Sequence, residues 1–321
     1  YKMLTTLPDS KRYLLVPEGQ PVPQGLDEDV SILQEPLQNI YLVASGAMDM
    51  FASLDAVDQI RFSGQKQENW YIQTAKDAMA AGDMIYAGKY SKPDYELLVS
   101  EGCDLAIENR MITHSPEVVE MLQSFDIPVM IEYSSYEQHP LGKVEWVKFF
   151  GALTGREAEA EEAFAEQTEI LEEVESGEKT GKTIAFFYVT SNGLIQVRQS
   201  TDYIPKLIEL AGGRYIFENL EDSGSGRSTL NMQVEDFYAG AKDADILIYN
   251  SSIDGGVTTV DELIGKCNIL KDFKAVQEGQ VYCTTNDMYQ QSMAIGYLLQ
   301  DMHTVLTDDD TAKLRYLFLL Q

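Results

Sequence analysis

Seven side chains of the types that bind small organic molecules lie at or near the ends of predicted strands. They are Tyr90, Arg110, Tyr136, Tyr188, Arg198, Asn250 and Tyr289. Tyrosine rings supply contact area and a hydroxyl group, and an arginine guanidinium can bind an anionic group through two hydrogen bonds. These residue types predict a ligand-binding surface, and the two arginines favour a ligand that carries an anionic group.

The histidines lack the spacing of a metal site. None of His114, His139 and His303 takes part in an HxxxH or HExxH pattern, and no CxxC pair is present. A zinc site built from closely spaced side chains is therefore not expected. The Gly-x-Ser-x-Gly pattern of serine hydrolases is absent as well, so the residues alone indicate no catalytic site.

Neither the glycine-rich loop nor the cysteines indicate a particular function. Gly224-Ser225-Gly226-Arg227 lacks the Lys-Ser/Thr of a phosphate-binding loop, and we interpret it as a flexible loop. Three cysteines are an odd number, so at least one thiol lies outside an intrachain disulfide. We expect Cys103 and Cys283 to be buried, while the redox state of these two and of Cys267 stays open.

Short apolar segments alternate with helical patterns along most of the chain. The predicted strands cover residues 40–43, 60–62, 104–107, 127–131, 183–189, 245–249 and 281–283. The predicted helices between and after them begin near residue 46 and cover residues 95–100, 116–125, 202–211, 234–241, 260–270 and 293–305. This alternation is typical of parallel βαβ units, in which ligands bind beyond the carboxyl ends of the strands.

The alternation stops between residues 143 and 178, where two helical patterns follow each other. The second covers residues 157–175 and would be about 30 Å long. With 321 residues, the chain is long enough for about two domains. We predict an extended N-terminal arm over residues 1–38, an α/β lobe over 39–142, connecting helices over 143–178 and a second α/β lobe over 179–321.

The chain is strongly acidic, with 24 Lys and Arg against 52 Asp and Glu and a formal net charge of −28. Nucleic-acid binding is excluded because it needs a basic face, and docking on an anionic membrane through a basic patch is disfavoured. No apolar run approaches the roughly 20 residues that span a bilayer. We expect the natural N-terminus, with any signal segment, to precede Tyr1.

Three stretches resemble the solute-binding proteins of bacterial ABC importers for ferric siderophores, haem and cobalamin. Residues 36–58 resemble that family's opening strand, first helix and following turn. Residues 93–107 resemble its next helix and strand, with Gly102-Cys103 where the family usually has Lys-Pro. Residues 273–282 are very similar to its motif before a late strand, and residues 210–213 (Leu-Ala-Gly-Gly) match as well. The resemblance covers about residues 36 to 305.

The resemblance implies an α/β fold of two Rossmann-like lobes, joined by one long helix and with a ligand cleft between the lobes. It also implies a monomer outside the cytoplasm, as a cell-surface lipoprotein or a periplasmic protein. This protein would have no resident cofactor and would deliver its ligand to an ABC permease. In the family one glutamate of each lobe pairs with permease arginines, and by motif position these are Glu96 and Glu235.

The ligand itself stays open. A ferric siderophore, often anionic, suits Arg110 and Arg198 best. Haem would need an axial ligand such as Met48, Tyr136 or Met288, and cobalamin would be held by aromatic and apolar contacts.

The alternative is an enzyme, because metal-inserting chelatases share a related two-lobed plan. A chelatase acting on a tetrapyrrole would need a histidine that faces a carboxylate, here His139 with Glu132 or Glu108. The long single connecting helix argues against this alternative.

Overall fold

The structure is a computed structural model that describes residues 1–220, 228–307 and 311–321. The chain forms two compact units. The first contains Tyr1–Ser135, Val144–Ala165 and Gln290–Met293, and the second contains Tyr136–Lys143, Glu166–Tyr289 and Ala294–Gln321. Helix Glu157–Glu175, which has the predicted bounds, contributes to both units. The predicted loop Gly224-Ser225-Gly226-Arg227 lies outside the described residues.

The first unit contains a five-stranded sheet in which every pairing is parallel. Its strands, in spatial order, are Val129–Glu132, Leu105–Asn109, Ile40–Leu42, Ile60–Ser63 and Ile85–Tyr86. The four predicted strands of this half are confirmed. The fifth strand has two residues, and so do both strands of the hairpin Gly88–Lys89 and Lys92–Pro93. These segments are too short for an apolar pattern to predict them.

Helices cover the sheet of the first unit because their apolar faces need burial. The α-helices are Ala47–Ser53, Gln73–Ala81, Tyr95–Ser100 and Pro116–Ser124, with most of Pro140–Thr154. Three of the described 3-10 helices lie wholly in this unit: Val57–Gln59, Gln67–Asn69 and Arg110–His114. Two more, Ser134–Tyr136 and Ser292–Ala294, are divided between the two units. Asp94 accepts a hydrogen bond from the backbone of Leu97 at 3.1 Å and so fixes the start of helix Tyr95–Ser100.

Residues 1–38 form a three-stranded sheet where an extended arm was predicted. Its strands are Lys2–Thr6, Lys11–Val16 and Val30–Gln34. The first pair is antiparallel and the second parallel. The prediction is wrong because the prolines, which favour an irregular extended chain, lie outside the three strands. Three of them, Pro17, Pro21 and Pro23, lie in the connection between the last two strands. Tyr13, Leu15 and Leu33 are buried in the apolar core of the first unit.

The second unit contains a mixed sheet. Its strands, in order, are Thr229–Met232, Ile195–Arg198, Thr183–Val189, Ile246–Tyr249, Val281–Thr284 and Leu317–Leu319, and Arg214–Tyr215 also pairs with Thr183–Val189. Thr183–Val189, Ile246–Tyr249 and Val281–Thr284 are parallel and confirm the prediction. Residues 281–283 were the last predicted strand, but a further strand, Leu317–Leu319, follows in the sequence and pairs antiparallel with Val281–Thr284.

The α-helices of the second unit are Tyr203–Leu210, Val234–Ala241, Val260–Lys266, Lys274–Gln277 and Ile295–Thr307. Its 3-10 helices are Ser251–Ile253, Asn268–Asp272 and Thr311–Lys313. The predicted helix 260–270 is broken at Cys267, whose extended backbone (φ −149°, ψ 96°) ends the α-helix. Phe237 and Phe273 stack with ring centres 5.5 Å apart in the core of this unit.

All three cysteines are buried with free thiols. Across the described ranges, the helices are too short or too polar to span a bilayer.

Candidate functional site

Arg198 is held on several sides within the second unit and is only 9% exposed. Its Nη1 donates to Asp202 Oδ2 at 3.3 Å, and its Nη2 donates to the Tyr289 hydroxyl. The guanidinium carbon lies 5.3 Å from the centre of the Tyr289 ring and 5.8 Å from that of Phe186. This geometry combines an ion pair with two cation–π contacts, so the guanidinium has a fixed position.

Tyr215 forms two hydrogen bonds with the main chain of Arg198. The Tyr215 hydroxyl accepts from Arg198 N at 3.0 Å and donates to Arg198 O at 2.8 Å. The phenol therefore satisfies both backbone groups of a residue at the end of its strand.

Three of the seven predicted ligand-binding residues meet at the Tyr289 hydroxyl. Its oxygen accepts from Arg198, and also from Asn250 Nδ2 at 2.9 Å. Asn250 directly follows strand Ile246–Tyr249 and is 3% exposed. A phenol oxygen that accepts two hydrogen bonds can still donate its own proton. Tyr289, which is partly exposed, can therefore offer that proton to an oxygen atom of a ligand.

Lys143 and Asp202 complete what we call the Arg198 cluster: Lys143, Arg198, Asp202, Asn250 and Tyr289. Lys143 is 4% exposed, and its Nζ lies 5.3 Å from the centre of the Tyr203 ring. Burial raises the pKa of Asp202, although the charges of Arg198 and Lys143 act in the opposite direction. The cluster thus contains two basic side chains and one carboxylate in a chain of net charge −28. This local balance favours an anionic ligand.

Arg198 was expected at or near the end of a predicted strand, and it is the last residue of strand Ile195–Arg198. This strand runs antiparallel to Thr183–Val189, which the sequence did not indicate. The Tyr289 hydroxyl nevertheless joins Arg198 to Asn250, which follows a parallel strand. Asp202 and Lys143 were missed as site residues. The available signals were the four-residue spacing of Arg198 and Asp202 and the position of Lys143 next to the apolar Val144 in helix Pro140–Thr154.

A cavity of about 520 Å³ lies beside the cluster in the second unit. Asp202 and Tyr215, which both contact Arg198, line it together with His139, Lys206 and Arg214. The volume is within the range of roughly 300–1,000 Å³ that is usual for small-molecule sites. His139 is exposed, and its Nδ1 accepts from Leu141 N at 3.2 Å.

The other predicted ligand-binding residues have different surroundings. Tyr188 lies within strand Thr183–Val189 and packs against the core of the second unit. Tyr136, also in the second unit, is 38% exposed. In the first unit, Tyr90 occupies the turn of the short hairpin and packs against the core, while Arg110 directly follows strand Leu105–Asn109. Arg110 therefore lies at the carboxyl edge, as predicted.

Glu108 is a fully buried acid in strand Leu105–Asn109 of the first unit. Neither of its carboxylate oxygens has a hydrogen-bond partner among the described residues, and burial raises its pKa to about 8. The side chain is therefore mostly neutral at pH 7. Glu132, in the neighbouring strand, is also buried and accepts from Ser134 N at 2.5 Å.

Glu96 and Glu235, the predicted docking residues, are both exposed. Each lies in the first turn of a helix, Tyr95–Ser100 or Val234–Ala241. A carboxylate is favoured there by the helix dipole, so the position is compatible with docking and also has a local explanation.

Within residues 1–220, 228–307 and 311–321, no three His, Cys, Asp or Glu side chains come together in a way that could hold a metal ion.

Comparison with known proteins places these features in a family. Residues 44–288 match the model of the periplasmic binding proteins, and the chain belongs to that family. An uncharacterized lipoprotein of Methanocaldococcus jannaschii is 24% identical over 314 residues, covering 92% of this chain and 72% of the relative. A second uncharacterized protein of that organism is 28% identical over 267 residues, covering 79% of this chain and 77% of the relative.

Solved structures share the fold. A periplasmic haem-binding protein of Vibrio cholerae has a TM-score of 0.65 at 14% identity, over 83% of this chain and 98% of its own. An ABC-type Fe³⁺-hydroxamate transport protein of Saccharomonospora viridis has a TM-score of 0.60 at 17% identity, over 84% and 93%.

The family comprises solute-binding proteins of transport systems that work outside the cytoplasm, and they are not enzymes. The resemblance seen in the sequence is thus confirmed, and the protein binds a small molecule. Family membership also decides against the chelatase alternative.

Proposed function

We propose that the protein captures an anionic iron chelate, with a ferric siderophore as the first candidate, and delivers it to the permease of an ABC importer. One observation carries this proposal: Arg198 and Asn250 both donate to the hydroxyl of Tyr289. The arrangement leaves a phenol proton for a ligand oxygen, beside a guanidinium that balances negative charge. Oxygen-rich ferric chelates present such oxygen atoms.

Haem is the second candidate, and it rests on the same tyrosine. A phenol oxygen is a ligand for haem iron in some proteins, and neighbouring N–H donors stabilise it when it loses its proton. The V. cholerae protein is described as haem-binding and the S. viridis protein as part of Fe³⁺-hydroxamate transport. Both ligand classes therefore belong in any screen, with cobalamin as a third.

A thermal-shift screen tests the proposal. We expect the melting temperature of the wild-type protein to rise with one of four probes: ferric citrate, an uncharged ferric trihydroxamate, haemin or cyanocobalamin. A ligand at 100 times its Kd stabilises the native state by about 2.7 kcal/mol, because only that state binds it. Apo-chelators without iron serve as controls. A flat response to the three iron-containing probes, whether or not cyanocobalamin binds, would contradict the proposal.

Delivery to the permease is assigned to Glu96 and Glu235. We expect Glu96→Ala with Glu235→Ala to abolish ligand uptake by cells that carry the permease, with ligand affinity unchanged, because both carboxylates are exposed. The matched control is Glu120→Ala with Asp236→Ala, which also removes two exposed helical carboxylates. Loss of ligand affinity in the first double variant would contradict the docking role.

The proposed location is the outer face of the cytoplasmic membrane, where a lipid anchor would hold the protein near its permease. The first M. jannaschii relative is described as a lipoprotein, and this supports the anchor.

A further inference from the structure

The N-terminal sheet precedes the residues that match the family model, which begin at 44. It is nevertheless built into the first unit. The hydroxyl of the buried Tyr13 donates to Val129 O at 3.1 Å, in the edge strand Val129–Glu132 of the five-stranded sheet. Tyr13 and Leu15 share one apolar core with Ile40 and Leu42. The sheet therefore has a fixed position beside that edge strand.

The turn between the first two strands carries Asp9 to the carboxyl end of the same edge strand. Asp9 Oδ1 accepts from Thr6 Oγ1 at 2.6 Å and from Lys11 N at 3.3 Å, which fixes the carboxylate. Asp9 Oδ2 accepts from the Tyr133 hydroxyl at 3.2 Å. Tyr133 directly follows strand Val129–Glu132.

The positive charge of Arg110, which lies next to the neighbouring strand, acts on the same tyrosine. Arg110 directly follows Leu105–Asn109, which pairs in parallel with the edge strand. Burial, with help from Asp9, raises the pKa of Tyr133 to about 12, while the positive charge of Arg110 acts against that shift. Asp9, Tyr133 and Arg110 are all partly exposed, so a ligand can reach all three groups.

We infer that Asp9 determines ligand specificity at the carboxyl ends of the strands Leu105–Asn109 and Val129–Glu132 in the first unit. This inference rests on the proposed function. Arg110 attracts an anionic group, whereas the fixed Asp9 carboxylate repels a second one close by. Such a pair selects ligands that combine one anionic group with a hydrogen-bond donor, such as a hydroxyl or amide, and it disfavours chelates with several carboxylates.

The test compares wild-type protein, Asp9→Asn and the control Glu18→Gln. Glu18 is an exposed residue near the far end of the second strand, and its replacement changes the net charge equally. Dissociation constants are measured for ferric citrate, haemin, an uncharged ferric trihydroxamate and cyanocobalamin. We expect Asp9→Asn to tighten binding of the carboxylate-bearing probes about threefold to tenfold relative to the uncharged ones, and Glu18→Gln to leave the ratio unchanged.

Failure of the proposed function can be distinguished from failure of the specificity role of Asp9. If wild-type protein binds none of the three iron-containing probes, the proposed function fails and this inference fails with it. If wild-type protein binds one of them, and Asp9→Asn with a wild-type melting temperature gives no selective gain for carboxylates, only the specificity role of Asp9 is overturned. A change of the same size in Glu18→Gln would also overturn it, because the effect would then come from net charge.

Discussion

Replacing Arg198 with alanine is expected to lower the free energy of unfolding by about 3 kcal/mol, because it leaves the buried Asp202 carboxylate without its ion-pair partner. The Tyr289 hydroxyl would also lose one of its two donors. Urea unfolding followed by circular dichroism measures the change. Adding Asp202→Asn should recover part of the loss, since no unpaired carboxylate then remains.

Arg214→Ala is the matched control, because Arg214 is exposed and pairs with Glu218 at 3.3 Å in the same unit. Exposed pairs contribute about 0–1 kcal/mol, so its effect should be small. Equal losses in Arg198→Ala and Arg214→Ala would mean that the cluster contributes no special stability.

Tyr289→Phe keeps the ion pair between Arg198 and Asp202, so this variant tests ligand binding separately from folding. It should weaken ligand binding about tenfold, the effect of losing one good hydrogen bond.

Glu108→Gln is expected to stabilise the protein above pH 7. The pKa of Glu108 rises from 4.5 to about 8 on folding, so the folded state holds this proton more tightly than the unfolded state. Stability from this group is therefore fully present below about pH 4.5 and falls as the pH rises towards 8. The slope is at most about 1.4 kcal/mol per pH unit.

Glutamine removes that dependence while it keeps the size of the side chain. The amide still lacks partners, so we expect a net gain of about 2 kcal/mol at pH 8 and a flatter stability profile between pH 5 and 8. Melting temperatures across that range measure the effect. Glu120→Gln is the control, because Glu120 is exposed on helix Pro116–Ser124. A parallel profile for Glu108→Gln and wild-type protein would show that Glu108 is already ionised in the fold.

Regular apolar alternation made most of the fold predictable. Strand Thr183–Val189 and helices Tyr95–Ser100, Glu157–Glu175 and Val234–Ala241 have the predicted bounds. Segments of two or three residues, such as Ile85–Tyr86 and Leu317–Leu319, carry too little pattern to predict. They are fixed by tertiary contacts instead. Asp301, for example, accepts from the main chain of Leu317 at 3.0 Å.

The residue types of the candidate site could be predicted from the sequence, but their arrangement in space could be predicted only in part. The types of Arg198, Asn250 and Tyr289 indicated binding, and these three residues do meet. The antiparallel direction of strand Ile195–Arg198 could not be predicted from residue types, because it depends on the pairing with Thr183–Val189. Lys143 was missed because burial of a lysine depends on distant packing partners such as Tyr203.

The Arg198 cluster is the proposed binding site for an iron chelate in this periplasmic binding protein. Calorimetric titration of wild-type protein and Tyr289→Phe, with the probe that raises the melting temperature most, tests this proposal most directly. We expect saturable binding of one iron chelate per chain, weakened about tenfold in Tyr289→Phe. Absence of saturable binding, preference for an iron-free ligand, or equal affinity of the two proteins would contradict it.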